Sequence, residues 1–145
     1  MAQDKLSPHE GRVQYFDEQI KKQSYRKSSY FKQLEEIRKL LEENEKEIKY
    51  NEGWIQFHEK SIEEHKKIIK ETCDLNEKID QEKKLKFHEE ENENHHKKSI
   101  GYHKKEVEAI KNEIQIFEQG IKRCEEQLKF IEGKREENKN NSSLP

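Results

Sequence analysis

The feature that most constrains this chain is a heptad repeat that runs from Val13 to Ile79 without a slip. Apolar residues dominate the first position of each heptad, position a, whereas the fourth position, d, becomes polar toward the end of the repeat. Such a sustained period is typical of a left-handed coiled coil. The sequence therefore predicts an all-α fold with a long coiled-coil helix over about residues 8–91. The a positions are Val13, Ile20, Lys27, Leu34, Leu41, Ile48, Ile55, Ile62, Ile69 and Asn76.

Composition favours helices with a narrow apolar seam over a thick globular core. Charged residues make up 43% of the chain and hydrophobic residues 28%, whereas globular domains are roughly 45–50% apolar on a broader count. A chain this polar is either disordered or forms long helices, and the unbroken heptads favour helices. The 30 basic and 32 acidic residues are mixed at short range, which argues against wholesale binding to nucleic acid or membranes.

The two cysteines, Cys73 and Cys124, have neither the density of a disulfide framework nor the spacing of a metal site. We expect both to be small, buried or half-buried residues. The N-terminus lacks the apolar core of a signal peptide, and no run is long enough to span a membrane. These observations predict a cytoplasmic protein, or one in another reducing intracellular compartment.

The long helix should begin at Pro8, after a short leader of residues 1–7. Ser7 can cap the first turn, proline suits the first helical position, and Glu10 completes a capping box.

The d line of the repeat turns polar between residues 44 and 72, at Asn44, Asn51, His58, His65 and Thr72. The repeated form, Ile-x-x-Asn and then Ile-x-x-His, resembles the stalks of trimeric autotransporter adhesins, in which polar d residues of a three-stranded coil surround anions or water. The resemblance covers only a motif and does not imply the adhesin function. Polar seam residues reduce stability unless they find partners, and they fix register and oligomer state.

The histidines raise the question of a metal or a pH response. The pairs His58 and His65, His88 and His95, and His96 and His103 are each spaced by seven residues, which is about 10 Å along a helix. One helix therefore cannot supply two ligands to one ion, and a site would need histidines from another helix or chain. We predict no metal site and no cofactor, and keep a metal- or pH-responsive bundle as an alternative.

One segment, residues 19–34, carries basic residues and no acid, interleaved with aromatic residues. It could bind phosphates or an anionic membrane surface, although a solvated helix face has the same composition. A nucleic-acid- or membrane-associated role is therefore the first alternative, ahead of the metal- or pH-responsive bundle. The basic residues are Lys21, Lys22, Arg26, Lys27 and Lys32.

A second apolar stripe lies beside the seam, formed by Tyr50, Trp54 and Phe57. With Leu40, Ile68 and Leu75 it makes the apolar face too wide for a two-stranded zipper, so a third or fourth helix should cover it. We expect these aromatics to pack in a core or to contact a partner.

A second 3–4 pattern starts at Ile100, in a frame offset by three residues from the first. A chain reversal accommodates this offset better than a continuous helix does. The polar residues 92–98 are the predicted turn, with Asn92 and Asn94 as turn residues, and the second helix should span about residues 99–132. We expect its apolar seam to lie against the polar d residues of the first helix. The seam comprises Ile100, His103, Val107, Ile110, Ile114, Phe117, Ile121, Cys124, Leu128 and Ile131.

Gly133 should end this second helix as a C-terminal cap, and residues 133–145 should form a disordered tail. The expected architecture is therefore a helical hairpin that assembles into an oligomeric bundle.

No motif of a catalytic site occurs in the sequence: a nucleophile elbow, a phosphate loop and a convergent carboxylate pair are all missing. The sequence predicts a non-enzymatic oligomerisation, scaffold or protein-interaction module without a small-molecule substrate. Its expected partners are itself, as a dimer or trimer, and another protein.

Overall fold

The computed structural model describes residues 7–142, all of which are helical except Ser7 and residues 72–74. Helix α1 spans Pro8–Glu71 and helix α2 spans Leu75–Glu91. A π-helical turn, Asn92–His96, leads directly into helix α3, Lys97–Ser142. The all-α prediction is confirmed. In this part of the chain, no helix is long and apolar enough to cross a membrane.

The predicted start of the first helix is confirmed. The Ser7 hydroxyl accepts a hydrogen bond from the Glu10 amide at 3.1 Å, and the Ser7 amide donates to the Glu10 carboxylate at 3.2 Å. This reciprocal pair is a capping box, which satisfies amides that have no partner within the helix. The other residues of the predicted leader, 1–6, lie outside the described residues.

The chain reverses at residues 72–74, so the prediction of a first helix extending to about residue 91 is wrong. Asp74 is extended, with φ −80° and ψ 117°, and its carboxylate accepts from the Asn76 amide at 3.0 Å as the N-cap of α2. The Thr72 hydroxyl accepts from the Asp74 amide at 3.3 Å and donates to Glu77 at 3.1 Å. Short polar side chains thus form the turn without Gly or Pro.

The predicted turn at residues 92–98 is therefore also wrong, because these residues are helical. Asn92 adopts the right-handed helical conformation, with φ −63° and ψ −49°, and is buried, whereas Asn94 is exposed. The second helical stretch consequently begins at Leu75 rather than near residue 99.

The second helical stretch also continues past its predicted end. Gly133 lies inside α3, which extends to Ser142, and no residue of the described chain has a positive φ. The prediction of a C-terminal cap at Gly133 is wrong. The prediction of a disordered tail is also wrong for residues 133–142, which are helical. Residues 143–145 lie outside the described part.

The chain forms two compact units. In the terminal unit, residues 1–38 and 112–145, the described segments of α1 and α3 run antiparallel. Leu34 and Ile121 are buried there, and Tyr30 packs on Phe117 with ring centroids 6.2 Å apart. Three ion pairs border this seam, namely Lys27 with Glu125, Arg38 with Glu118, and Arg135 with Asp17.

In the central unit, residues 39–111, the rest of α1 runs antiparallel to α2, the π-helical turn and the start of α3. Asn44, Asn51 and His58 are buried here together with Ile110. The expectation that the predicted second seam would cover these polar residues holds only for Asn44, which faces His103 of that seam, and is wrong for Asn51 and His58. Because the reversal lies at residues 72–74, they instead face the polar stretch of residues 81–103.

The predicted heptad seam agrees with the burial pattern. Every a and d residue from Val13 to Ile69 is buried or half-buried, as is every predicted seam residue from Ile100 to Ile131. Cys124 is buried as expected, but Cys73 is exposed because it lies in the turn. The last two seam positions, Asn76 and Ile79, are exposed.

The position of the reversal can be tested with two matched insertions. Gly-Ser-Gly inserted after Cys73 should lower the free energy of unfolding by only about 0.6 kcal/mol, the effect of doubling a short loop. The same insertion after Glu93 should cost about 3 kcal/mol or more, because it places two glycines inside a helix and separates several polar pairs. Urea unfolding followed by circular dichroism measures both. The opposite order would place the turn at residues 92–98.

Two glycines of α3 provide a second matched test. A Cβ atom at Gly120 would lie 2.9 Å from the Tyr30 ring, whereas a Cβ at Gly133 would meet nothing within 4 Å. Gly133→Ala should raise the free energy of unfolding by about 0.5–1 kcal/mol, the usual gain inside a helix. Gly120→Ala should lower it by about 1 kcal/mol, since overpacking outweighs that gain. Destabilisation by Gly133→Ala in urea unfolding would instead support a cap at this residue.

Candidate functional site

A column of paired polar side chains lies between the two helical segments of the central unit. In this unit, each of the four polar d residues of α1 faces a polar side chain from the returning segment. We call these eight residues the polar column: Asn44 with His103, Asn51 with His96, His58 with His88, and His65 with Gln81.

The two asparagines hold their histidine partners in a defined orientation. The Asn51 side-chain amide donates to the Glu47 carbonyl at 2.9 Å and lies 3.1 Å from the Ser99 hydroxyl, so its oxygen faces Nδ1 of His96 at 2.9 Å. Asn44 repeats this arrangement. Its side-chain amide donates a hydrogen bond to the Leu40 carbonyl, and its side-chain oxygen lies 2.7 Å from Nδ1 of His103. Because an amide oxygen only accepts, both histidines must carry a proton on Nδ1.

The centre of the column is a pair of imidazoles. Nδ1 of His58 lies 2.6 Å from Nδ1 of His88. His96 stacks near His58 with centroids 5.2 Å apart, and His65 stacks near His88 at 5.4 Å. Four imidazoles from two facing segments thus form an unbroken chain of contacts, in the order His65, His88, His58 and His96.

Burial and the neighbouring imidazoles disfavour a positive charge on His58, His88 and His96. Burial lowers the pKa of His58, and the rings of His88 and His96 lower it further. The pKa of His88 is lowered by burial and by His65, and that of His96 by burial and by His95. The Glu91 carboxylate opposes the shift at His58 and His96. The arrangement therefore favours the neutral forms of His58, His88 and His96.

The π-helical turn lies beside these histidines. Its first residue, Asn92, is 4% exposed. The side-chain amide nitrogen of Asn92 donates to the Ile55 carbonyl at 3.4 Å, and its side-chain oxygen is buried without a hydrogen-bond partner. Single π-helical turns within longer helices are frequent at functional sites. The turn and the unpaired oxygen mark this part of the column as the candidate site.

The predicted aromatic stripe is exposed. Tyr50 is 61% exposed, Trp54 40% and Phe57 52%, and the three rings contact each other edge to face. The face of Trp54 also stacks on His96, with centroids 6.0 Å apart and an interplanar angle of 5°. Within the described chain, no third helix covers these residues, and the covering helix expected from an oligomeric bundle stays a prediction. Trp54 therefore belongs to the stripe and also contacts the polar column.

The basic segment lies in the terminal unit. Lys21, Lys22, Arg26 and Lys32 are exposed. Lys27 is half-buried and lies 3.3 Å from the Glu125 carboxylate. Four of the five predicted basic residues are therefore at the surface, and the fifth, Lys27, forms an ion pair between α1 and α3.

The remaining predicted site residue, Thr72, lies in the turn and not in the column. The α1 members of the column were predicted, but their partners Gln81, His88, His96 and His103 were not recognised as such. The heptad spacing of the histidines was a usable signal, but the pairing depends on where the chain reverses.

The described residues contain no group of three or more His, Cys, Asp or Glu side chains that is arranged to hold a metal ion.

The depressed pKa values predict that the central unit loses stability as the pH falls. Histidines of the unfolded chain titrate near pH 6.5. Below that pH the unfolded chain binds more protons than the folded chain, so the free energy of unfolding decreases until the lower folded pKa values are passed. Above it, both states are neutral and this contribution is constant. Urea unfolding between about pH 7.5 and about pH 5, with EDTA present, measures the slope.

A matched pair of variants controls this measurement. His58→Gln should reduce the slope below pH 6.5, whereas His9→Gln, in the terminal unit, should keep it. Equal slopes in His58→Gln and the unaltered protein would contradict the assignment.

No protein-family model matches this chain, and no curated protein or solved structure is significantly similar to it.

Proposed function

We propose that this chain is a non-enzymatic helical interaction module that associates with a second copy of itself through the aromatic stripe, Tyr50, Trp54 and Phe57. The polar column sets the register of the helices, and the stripe supplies the contact surface. The resulting assembly serves as a scaffold for another protein.

The observation that carries this proposal is the exposure of the stripe at the middle of α1. Gly53 lies among the three aromatic residues and lines a shallow apolar hollow with them. A Cβ at this glycine would meet nothing within 4 Å, so packing within the chain does not require it. Glycine inside a helix costs about 1 kcal/mol relative to alanine, and close approach of a second helix is one benefit that offsets this cost.

The stripe suits an antiparallel second copy. Tyr50 and Phe57 lie on either side of Trp54, so turning the helix end for end places one aromatic ring opposite another. Lys46, which also pairs with Glu42 of its own helix at 3.5 Å, lies eight residues before Trp54, and Glu64 lies ten residues after it. Both are exposed. An antiparallel partner therefore brings opposite charges together at both ends of the stripe, whereas a parallel partner brings like charges together.

The polar column supports the same role by favouring one register. Its hydrogen bonds require particular partners, and a slip by one residue would bury amides and imidazoles without them. Polar seam residues reduce stability and in return restrict how the helices associate.

Loss of the stripe should weaken self-association. Tyr50→Ala together with Phe57→Ala should raise the dimer dissociation constant by at least about tenfold, since buried aromatics often carry much of the binding free energy. Sedimentation equilibrium over a concentration series measures this constant. The control is Phe87→Ala together with Tyr102→Ala, which removes two equally exposed aromatics of the same unit and should leave the constant unchanged.

A charge exchange tests the orientation of the two copies. Lys46→Glu alone should weaken the dimer, and adding Glu64→Lys should restore it. An unaltered protein that sediments as one chain at all concentrations, or equal effects of the stripe and control pairs, would refute the proposal.

A further inference from the structure

The two sides of the seam in the terminal unit differ in charge. The three ion pairs across the seam take their carboxylates from Asp17, Glu118 and Glu125, and each of these residues directly follows a seam residue. Arg38, the partner of Glu118, also follows one, so residues that follow a seam position lie on the same side in both helices. At about 100° per residue, the residues that precede a seam position lie on the opposite side.

The opposite side has mainly basic, amide and aromatic side chains. Among the described residues, it has no acid from Arg12 to Gln33 of α1 or from Ile116 to Lys134 of α3. Glu18 and Glu126 border it, at the outermost positions of the two helices. This side is therefore a basic surface on two adjacent helices. We define the basic face as six exposed residues of this side: Tyr15, Lys22, Arg26, Arg123, Phe130 and Lys134.

Most cations of the basic face are not used by the fold. Within the described chain, none of the ion pairs involves Lys22, Arg26 or Arg123. Nε of Arg123 donates to the Gln119 carbonyl at 3.5 Å, so the two terminal amino groups of its guanidinium point away from that bond. An anion that docks here would therefore meet exposed cations without displacing an internal ion pair.

Aromatic rings lie among these cations. Phe130 is 62% exposed and Tyr15 is 56% exposed. Nζ of Lys134 lies 5.7 Å from the centroid of the Phe130 ring and 3.3 Å from the Glu137 carboxylate. The face thus offers flat apolar rings and positive charge within the same surface.

The antiparallel packing joins the two halves of the basic face. Lys27 of α1 pairs with Glu125 of α3 at 3.3 Å. Lys22 precedes Lys27 by five residues and Phe130 follows Glu125 by five, so Lys22 and Phe130 are level on adjacent helices. The α1 residues of the face extend over about 17 Å, at 1.5 Å per residue. Cations and rings therefore form one continuous surface.

We propose that the basic face binds single-stranded nucleic acid. Lys22, Arg26 and Arg123 contact phosphates of the strand, and one base stacks on the Phe130 ring. Cations that follow a phosphate backbone, combined with exposed rings that stack on bases, are typical of single-strand binding without sequence preference. This inference goes beyond the proposed dimer and does not rest on it, because the aromatic stripe belongs to the central unit.

Several features favour a single strand over other polyanions. Two packed helices, each about 10–12 Å wide, are too wide for a major groove of about 12 Å. Gln19, Gln33 and Gln127 lie on the same side; their amides can hydrogen-bond to bases and phosphates but are costly to transfer into lipid. Helices that bind membrane surfaces separate a charged face from an apolar face, whereas here cations and rings are intermixed.

Fluorescence anisotropy with labelled oligothymidine and oligouridine of about 15 nucleotides tests this inference on the full chain. Binding to either oligonucleotide supports it. With three phosphate contacts, the slope of log K against log salt should be about −2. Lys22→Gln together with Arg26→Gln should reduce the slope to about −0.7 and weaken binding by about 25-fold at about 0.1 M salt, because two contacts are lost.

Matched variants on the other side of the seam control for charge and for aromatic content. Lys122→Gln together with Lys129→Gln removes two exposed cations that follow seam residues and should change the affinity by about twofold or less. Phe130→Ala should weaken binding by about fivefold or more, since one base loses its stacking contact. Phe31→Ala, which removes an exposed ring from the other side, should have no effect.

Four results would overturn the inference: no binding to either oligonucleotide, equal losses in the charge variant and its control, equal competition by a duplex of the same length, or binding only to phosphatidylserine vesicles. Circular dichroism should show the same helicity in every variant, because the substituted side chains are exposed. Sedimentation of the same variants should match that of the unaltered protein. Loss of nucleic-acid binding is therefore distinguishable from loss of the dimer.

Discussion

A buried amide or imidazole must form hydrogen bonds, and this requirement determines which segments of the central unit can face each other. An unpaired buried polar group costs about 1–3 kcal/mol. Asn44, Asn51 and His58 are all at most 8% exposed. A seam of isoleucine and valine opposite them would leave these side chains without partners. The reversal at residues 72–74 avoids this cost, because it places polar residues opposite polar residues.

The pairing also explains why the second helical segment contains a π-helical turn. On α1, the column residues recur at intervals of seven throughout. On the returning segment the interval is seven between Gln81 and His88 and between His96 and His103, but eight between His88 and His96. The turn Asn92–His96 lies within that longer interval and absorbs the extra residue. The buried oxygen of Asn92 is left unpaired at this irregularity.

Much of the local structure could be predicted from the sequence, because it depends on local signals. The capping box at Ser7 involves residues three apart, and the seam follows from periodicity alone. The reversal was missed because Asn76 and Ile79 continue the heptad spacing beyond it, although both are exposed. The signal was nevertheless present, since Asp74 and Glu77 have the spacing of a helix cap and its third residue. A cap without Gly or Pro is easily overlooked inside a regular repeat.

The errors that followed have one physical origin. In an antiparallel pair of helices, the position of the reversal decides every contact between them, so displacing it by about twenty residues changes the partner of each seam residue. The polar d residues were identified correctly, but their partners could not be. Gly133 was misread for a different reason. The cost of glycine within a helix is only about 1 kcal/mol, which neighbouring seam contacts at Ile131 and Arg135 can offset.

Trp54 links the two features that the proposed function uses. Its face stacks on His96 of the polar column, while 40% of its surface remains exposed in the aromatic stripe. A second copy covering Trp54 would remove water from the ring and from the imidazoles beneath it. Desolvation disfavours a charged imidazole, so association through the stripe would lower the histidine pKa values further. Because linkage is reciprocal, protonation of the column must weaken that association to the same extent. The stripe and the column therefore act as one thermodynamic unit in the proposed dimer.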